Sequence, residues 1–541
     1  MTNRALLAAA CLSATAAWAK PPKLTLVISV DSMGTDVFQR MRPRFKAGFS
    51  TLLTQGAYFP SARYEYAETV TAAGHATLST GANPWRHGIA SNKVLNRATG
   101  KLEPVFYDPG HPVLEAPPGV DDSSPANLLS ESVADKVKLA TAGAGKAVSI
   151  AGKARAAIAL GGHLGAAWWF NEPTGRFVTG TYYAKEPPAW VKAFNDKKNA
   201  DAYHAKAWEL LAPAKEYQGE DERPGESDWY GMGKKFPHPL NGGLPAPGGA
   251  SYSALASSPF FNDVEVAFAK AAIDGEQLGK DDVPDLLAVS FSAPDRTYHL
   301  YGPYSWEVQD GYLRLDKAIG ELLAAAEKAA GGKANLAVVV SADHGGADIP
   351  EGWAARGLDG VRMSPKALGE GLSKELAAKF GGAALVSAIE EIDVYLDAKV
   401  MADKKLDPAA VRRAAAAWLS KQPDTALAVA RDDLFEHDTT PGLLRTVQLD
   451  YLAERSGDVF LVLKPYHVSE VEPGGTSHGQ PYLYDSEVPV ILYGRGVKAG
   501  VYPSAIKVTD VAPTVSALME VGTPSSAEGS ARGEALALPP R

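Results

Sequence analysis

The chain has 541 residues, of which 45% are hydrophobic and 22% are charged, so it can bury a large core and is neither disordered nor fibrous. Its formal net charge is -9, and its lysines and arginines are dispersed along the sequence. We therefore expect no nucleic-acid partner and no attraction to anionic membrane surfaces. An anionic substrate would need a local positive charge, from a few basic side chains or from bound metal ions.

The first 19 residues have the pattern of a secretory signal peptide. Arg4 precedes an uncharged stretch rich in alanine and leucine, and Ala17-Trp-Ala19 resembles a cleavage site before Lys20. Cleavage there would remove Cys11, the only cysteine, and would export the chain across the inner membrane to the periplasm. The alternatives are a lipid anchor on Cys11 and a short buried helix. No later segment is long and apolar enough to predict a membrane span.

Three short apolar runs, at residues 24–30, 286–291 and 336–340, predict buried strands. Nearly continuous apolar runs of this length are typical of parallel strands covered on both faces. Alanine-rich helical patterns, such as residues 312–331, lie between them. We predict an α/β fold that is doubly wound, with a mostly parallel central sheet flanked by helices. Residues 20–541 would form a single domain with insertions at about 185–260 and 350–435.

Carboxylates and imidazoles follow the predicted strands, where open α/β sheets bind ligands. The candidate metal ligands are Asp31 after the first strand, Asp295 and His299 after the second, Asp343 and His344 after the third, and His478 in a glycine-flanked loop. Such a mixture suits Zn²⁺ or a similar ion. Any one of these residues is more often a helix cap or a turn former. Their order and spacing nevertheless favour a pair of metal ions.

Thr71 is the candidate nucleophile because it would stand at the N-terminus of a predicted helix. Unpaired backbone N–H groups and the positive end of the helix dipole favour an alkoxide and a bound phosphate there. The alternative is that Thr71 is only a helix N-cap. His75, one turn later, is interpreted as a structural residue of the helix.

The motifs Asp31, Thr71-x-x-Gly-His, Asp295-x-x-x-His299, Asp343-His344-Gly and Thr476-Ser-His478-Gly resemble, in order and spacing, those of the alkaline phosphatase superfamily. Within it, the chain is similar to the phosphate-irrepressible, PafA-type alkaline phosphatases, on the further evidence of residues 87–92, 152–155 and 167–170. The resemblance covers essentially the whole mature chain. It implies two zinc ions, one held by Asp295, His299 and His478 and the other by Asp31, Asp343, His344 and the Thr71 oxygen. Ala72-Ala73 and Ala90-Ser91 depart from the usual pattern.

The resemblance also implies hydrolysis of a broad range of phosphate monoesters through a phosphothreonine intermediate on Thr71. Lys153 and Arg155 alternate, so on an extended strand both side chains would project from one face, where Asn92 could join them around the phosphate. A dianionic monoester offers more oxygens to such a cationic clamp than a diester does. Without the family context, the two cations would be interpreted as solvated surface charges.

The nearest alternative is a phosphodiesterase or nucleotide pyrophosphatase of the same superfamily, which would share the metal ligands and lack the Lys-x-Arg pair. A sulfatase would need cysteine or serine at position 71, and the mutase branch uses serine. A binding protein that retains the fold without turnover is the alternative from another class. We expect small-molecule phosphate monoesters as substrates and a monomeric protein.

Overall fold

A computed structural model describes residues 20–117, 119, 122–436, 441–469 and 474–537 of the chain. The predicted signal peptide, residues 1–19, lies outside the described residues. The strands are β1 Leu24–Val30, β2 Ala57–Arg63, β3 Lys93–Asn96, β4 Lys101–Pro104, β5 Ala147–Ala151, β6 Ala166–Asn171, β7 Arg176–Val178, β8 Ala207–Trp208, β9 His238–Pro239, β10 Asp285–Phe291, β11 Leu336–Ser341, β12 Val361–Met363, β13 Val386–Glu390, β14 Asp393–Leu396, β15 Thr425–Ala430, β16 Val459–Leu463, β17 His467–Ser469, β18 Glu487–Gly494, β19 Gly500–Val501 and β20 Ile506–Lys507.

The α-helices surround these strands and vary from a single turn to 25 residues. They are α1 Thr35–Met41, α2 Gly48–Gln55, α3 Thr71–Thr80, α4 Pro84–His87, α5 Val133–Ala140, α6 Ala154–Gly161, α7 Ala189–Asp196, α8 Gly249–Ala256, α9 Phe260–Gly275, α10 Ala293–Tyr301, α11 Trp306–Ala330, α12 Pro350–Ala354, α13 Pro365–Lys379, α14 Ala398–Asp403, α15 Pro408–Leu419, α16 Leu443–Asp450, α17 Leu483–Ser486 and α18 Val511–Met519.

The main sheet has the strand order β19-β2-β18-β11-β1-β10-β5-β6-β7, with β20 beside β2. The five strands from β11 to β6 run parallel to one another, and β18 and β7 run antiparallel to their neighbours. Every residue of β10 and β11 is buried, because helices cover both faces of the sheet. The predicted doubly wound, mostly parallel architecture and all three predicted strands are confirmed.

A second, antiparallel sheet has the order β13-β14-β16-β15 and packs against α13 and α15 around its own apolar core. The sequence predicted a mixed insertion ending near residue 435. The structure extends it, because β16 lies between β14 and β15 and closes this sheet from a later part of the chain. Residues 185–260 contain little regular structure beyond α7, α8 and the β8–β9 pair.

Candidate active site

The carboxyl ends of neighbouring strands bring the predicted acidic residues to one edge of the main sheet. β1 pairs with both β10 and β11, and Val30 is opposite Phe291. Asp31 therefore leaves the sheet beside the segment that leads into α10, which carries Asp295 in its first turn. Asp343 follows β11 by two residues, and all three carboxylates are 0–2% exposed.

The candidate metal ligands form two groups that share one carboxylate. Asp295, His299 and His478 form the first group, and Asp31, Asp295 and His344 form the second, with the ligand atoms of each group within 4.8 Å of one another. The Nε2 atoms of His299 and His478 are 3.4 and 3.6 Å from Asp295 Oδ1. The Nε2 atom of His344 is 3.5 Å from Asp31 Oδ1. Two ligand atoms that are each about 2.1 Å from a tetrahedral ion stand about 3.4 Å apart, so these separations fit zinc.

Asp343 borders the second group. Its Oδ1 accepts hydrogen bonds from the backbone N–H groups of Ser32 and His344, both at 3.1 Å. Its Oδ2 lies 3.3 Å from His344 Nε2 and 3.2 Å from His75 Nδ1. Asp343 is thus placed to contribute one oxygen, but the sequence did not predict that Asp295 would lie between both groups.

The three imidazoles are oriented by backbone carbonyls. The Nδ1 atoms of His299, His344 and His478 lie 2.8, 2.8 and 2.9 Å from the carbonyl oxygens of Thr476, Gly345 and Thr69. A carbonyl only accepts, so each Nδ1 carries the proton and each Nε2 directs its lone pair into the space beside the carboxylate oxygens, where a metal ion could bind both. Burial lowers the pKa of His344 and of His478, which keeps both rings neutral as metal binding requires.

Several polar atoms at the centre of the site are buried without a hydrogen bond from the described part of the chain. They are Oδ1 of Asp31, Oδ1 of Asp295, Oδ2 of Asp343 and Nε2 of His344. Burial, together with the charges of Asp295 and Asp343, raises the pKa of Asp31. Clustered buried carboxylates are costly unless cations compensate them. The donor set therefore fits divalent metal ions.

Thr71 is the first residue of α3 and is fully buried. Val70 occupies the N-cap position, so Thr71 is not the capping residue. His75 lies one turn later, with Nδ1 2.8 Å from the Thr71 carbonyl oxygen and Nε2 2.8 Å from Ser290 Oγ. These contacts are those of a structural residue that fastens α3 to β10.

Lys153 and Arg155 reach Thr71 from a helix start and not from a strand. The predicted extended geometry is wrong, because β5 ends at Ala151 and the alanine-rich run that follows Lys153 forms α6. Even so, Lys153 Nζ and Arg155 Nη2 lie 3.4 and 3.5 Å from Thr71 Oγ1. Lys153 Nζ is also 2.6 Å from Asp31 Oδ2 and 2.5 Å from Asp295 Oδ2. The lysine thus belongs to the carboxylate cluster as well as to the surroundings of the threonine.

Asn92 joins the two cations at a cavity of about 930 Å³. Its Oδ1 accepts a hydrogen bond of 3.0 Å from the N–H of Ala72, the second residue of α3. Asn92, Lys153 and Arg155 form one part of the wall. Every residue predicted for the site is therefore close to Thr71 or to one of the two ligand groups.

The rest of the cavity wall was not predicted from the sequence. Its charged members are the ion-paired Arg296 and Glu172, together with Lys93, Glu390 and Glu391. The two adjacent glutamates belong to the inserted sheet, about 300 residues along the chain from Asn92. No motif or local spacing relates them to the catalytic residues, so only long-range packing identifies them.

Comparison with known proteins shows relatives across the whole length. Residues 25–480 match the family profile described as type I phosphodiesterase / nucleotide pyrophosphatase. Alkaline phosphatase PafA of Elizabethkingia meningoseptica is 34% identical over 517 residues, which cover 94% of this chain and 93% of the relative. A Myroides odoratus protein named calcium-transporting ATPase is 34% identical over 523 residues, 95% of each chain. Alkaline phosphatase PhoV of Synechococcus elongatus is 31% identical over 513 residues, covering 94% and 92%.

The fold is also similar to that of a solved relative. The crystal structure of wild-type alkaline phosphatase PafA matches with a TM-score of 0.90 and 32% identity, over 95% of this chain and 99% of the other. A variant of that protein with one threonine, one asparagine, one lysine and one arginine substituted matches equally well. The same four residue types occur here as Thr71, Lys153 and Arg155, whose side chains meet at Thr71 Oγ1, and Asn92, which accepts a hydrogen bond from the next residue, Ala72. Within the described ranges, no helix is long and apolar enough to cross a bilayer.

Proposed function

Because this chain belongs to the type I phosphodiesterase / nucleotide pyrophosphatase family, and within the alkaline phosphatase superfamily to the PafA-type enzymes, we infer that it is a metal-dependent alkaline phosphatase. It hydrolyses phosphate monoesters and releases inorganic phosphate. The observation that supports this function most directly is the position of the Thr71 hydroxyl at the start of α3, within 3.5 Å of two cations. One of these cations, Lys153, also contacts Asp31 and Asp295 of the candidate metal ligands.

Two zinc ions are the proposed cofactors. Asp295, His299 and His478 would hold one ion, and Asp31, Asp343, His344 and the Thr71 oxygen would hold the other; Asp295 lies close enough to Asp31 to take part in both sites. When bound, these ions would lower the pKa of the Thr71 hydroxyl and stabilise the oxygen of the departing alcohol.

Thr71 Oγ1 acts as the nucleophile. It forms a new bond to phosphorus while the bond from phosphorus to the alcohol oxygen breaks, which leaves a phosphothreonine. Water then attacks the same phosphorus, and inorganic phosphate leaves Thr71. Over the two steps, the proton of the Thr71 hydroxyl ends on the departing alcohol, and one proton of the water returns to Thr71. The N-terminus of α3 favours the phosphate throughout, since its backbone N–H groups and dipole point toward the negative charge.

Arg155, Lys153 and Asn92 would hold the non-bridging oxygens of the transferred group. The Arg155 side chain is aimed at Thr71 Oγ1, and a guanidinium can donate two parallel hydrogen bonds to phosphate. A monoester dianion offers one more free oxygen and one more negative charge to these groups than a diester, so the clamp favours monoesters. The family description keeps phosphodiester hydrolysis as the second candidate.

The remaining features of the proposal concern the whole protein. We propose that residues 1–19 are removed on export, that residues 20–541 act as one catalytic domain with two insertions, and that the enzyme works in the periplasm as a monomer. N-terminal sequencing of the secreted protein should begin at Lys20.

The deciding experiment compares p-nitrophenyl phosphate with bis-p-nitrophenyl phosphate, with zinc added, for the wild type, Thr71→Ala and the Lys153→Ala/Arg155→Ala pair. Thr54→Ala, a threonine on the exposed side of α2, is the matched control for Thr71. We expect Thr71→Ala to be inactive and the double variant to lose mainly monoester activity. Acid quenching of a turnover reaction should trap phosphate on the peptide that contains Thr71. A wild type that prefers the diester would establish the phosphodiesterase instead. A double variant that keeps the wild-type preference would refute the role of Lys153 and Arg155 in selecting monoesters.

A further inference from the structure

The turn between β13 and β14 forms a wall of the active-site cavity. Glu390 and Glu391 at this turn line the cavity together with Asn92, Lys153 and Arg155. Glu391 has a φ of 49°, in the left-handed region that non-glycine residues rarely adopt. Such conformations persist where the surrounding structure holds them, and they cluster at functional sites. The inserted sheet thus holds two carboxylates in a defined position facing the catalytic residues.

Glu391 is near the first ligand group. Its Oε2 faces Gly479, the residue after His478, closely enough that a Cβ on that glycine would stand 3.3 Å away. His299 of the same group also interacts electrostatically with Glu391. In-line attack by Thr71 requires the alcohol to depart on the opposite side of phosphorus, toward the group assigned to the leaving oxygen. An alcohol that departs on this side would lie near Glu391.

The neighbouring wall residues form direct ion pairs, whereas Lys93 and His299 act on Glu391 from a longer range. Glu390 Oε1 is 3.3 Å from Lys93 Nζ, and Glu172 is paired with Arg296. Among the residues that the structure describes, no basic side chain lies within 4.0 Å of the Glu391 carboxylate. Burial and the charge of Glu390 raise the pKa of Glu391 to about 7, so the side chain is negatively charged at alkaline pH. A negative charge in a partly enclosed cavity acts on nearby charges more strongly than one in bulk water.

We propose that Glu391 determines which alcohols the enzyme releases: it favours phosphate monoesters whose alcohol carries a positive charge, and it disfavours those whose alcohol carries a carboxylate or a second phosphate. This inference rests on the proposed function, because it assigns the leaving-group side from attack by Thr71. Glu390 contributes less, since Lys93 compensates its charge.

The test compares three small substrates with similar alcohol leaving groups: phosphocholine, glycerol 3-phosphate and 3-phosphoglycerate. The neutral glycerol ester is the internal reference in every variant. In the wild type, kcat/KM should decrease from the cationic to the neutral to the anionic alcohol. Glu391→Gln should reduce the ratio of phosphocholine to 3-phosphoglycerate by about tenfold, because the isosteric amide removes one charge near the leaving group. Glu390→Gln should change the ratio less.

Glu375→Gln is the matched control, because this exposed glutamate lies on α13 of the same insertion and away from the cavity. Its ratio should equal that of the wild type. If the phosphocholine to 3-phosphoglycerate ratio of Glu391→Gln stays within about twofold of the wild-type ratio, the proposal is overturned. If that variant does not fold, the salt dependence of the wild type is measured instead. The ratio of kcat/KM for phosphocholine to kcat/KM for 3-phosphoglycerate should fall toward one as salt rises from about 0.01 to about 0.5 M, because salt screens the interaction between Glu391 and the charge on the alcohol. A ratio that is independent of salt contradicts the role of Glu391. If the wild type hydrolyses none of the three esters, the proposed function itself fails, which is a different result.

Discussion

Gly74→Ala adds one methyl group between α3, which carries Thr71, and the backbone of Asp343. We expect this methyl group to push the nucleophile away from the metal ligands. Gly74 belongs to the Thr71-x-x-Gly-His motif and faces the backbone of Asp343 across the junction of α3 and β11. An added Cβ would stand 2.7 Å from the carbonyl carbon and 2.8 Å from the Cα of Asp343, and closer still to its carbonyl oxygen. These neighbours are backbone atoms, so no rotamer change can relieve the overlap. The helix or the strand end must move by roughly 1 Å.

The size of the effect follows from this displacement. Overpacking a rigid site costs about 1–3 kcal/mol, while replacing glycine by alanine inside a helix gains about 1 kcal/mol, so we expect a net loss of up to about 2 kcal/mol of stability. Activity should suffer more, because a 1 Å displacement between reacting groups lowers the rate by about 100-fold.

The assays are kcat/KM on p-nitrophenyl phosphate and urea unfolding. Gly311→Ala is the control, since Gly311 lies inside α11 and nothing lies within 4 Å of its added Cβ. That variant should be fully active and more stable by about 0.5–1 kcal/mol. If Gly74→Ala were as active as Gly311→Ala, close packing of α3 on Asp343 would not be what positions Thr71.

Three further predictions concern metal, pH and the support of α3. Removing metal with EDTA should abolish activity and lower Tm, because the buried Asp31 and Asp295 lose the positive charge that compensates them. Added zinc should restore both activity and Tm. An unchanged Tm would contradict the metal assignment. Burial raises the pKa of Glu226 from 4.5 to about 9, so the folded state keeps a proton that the unfolded state releases. Stability should therefore fall as pH rises between these values, by at most about 1.4 kcal/mol per unit, and urea unfolding of Glu226→Gln should show a shallower pH dependence. Ser290→Ala removes the partner of His75 Nε2 and should cost about 1–3 kcal/mol in urea unfolding without changing the monoester preference; a loss below about 0.5 kcal/mol would show that this contact does not support α3.

Much of the fold and of the candidate site could be predicted from local sequence patterns. The apolar runs of β1, β10 and β11 predicted the centre of the sheet, because strands covered on both faces must be apolar on both. Asp295 and His299 were predicted to share a helical face, and α10 places both near His478. These features are set by residues close together in the chain, so their periodicity and spacing are visible in the sequence.

Some local predictions were wrong for reasons that are also local. Alternation suggested that Lys153 and Arg155 lie on a strand, but the alanine-rich residues after Lys153 favour a helix, and α6 starts there. Both cations still reach Thr71, because α6 packs against α3. The sequence thus predicted correctly that Lys153 and Arg155 lie near Thr71, but it predicted the wrong secondary structure for the segment that carries them.

By itself, the sequence determined which residue types follow each strand, and hence the chemistry of the nucleophile, the cations and the metal ligands. Only the tertiary structure decided that β16 completes the inserted sheet, that Asp295 lies between both ligand groups, and that Glu391 stands at the cavity wall. Each of these outcomes depends on pairing or packing between segments far apart in the chain. Such contacts are selected by the shape and burial of the whole fold, and no periodicity within a short stretch of sequence records them.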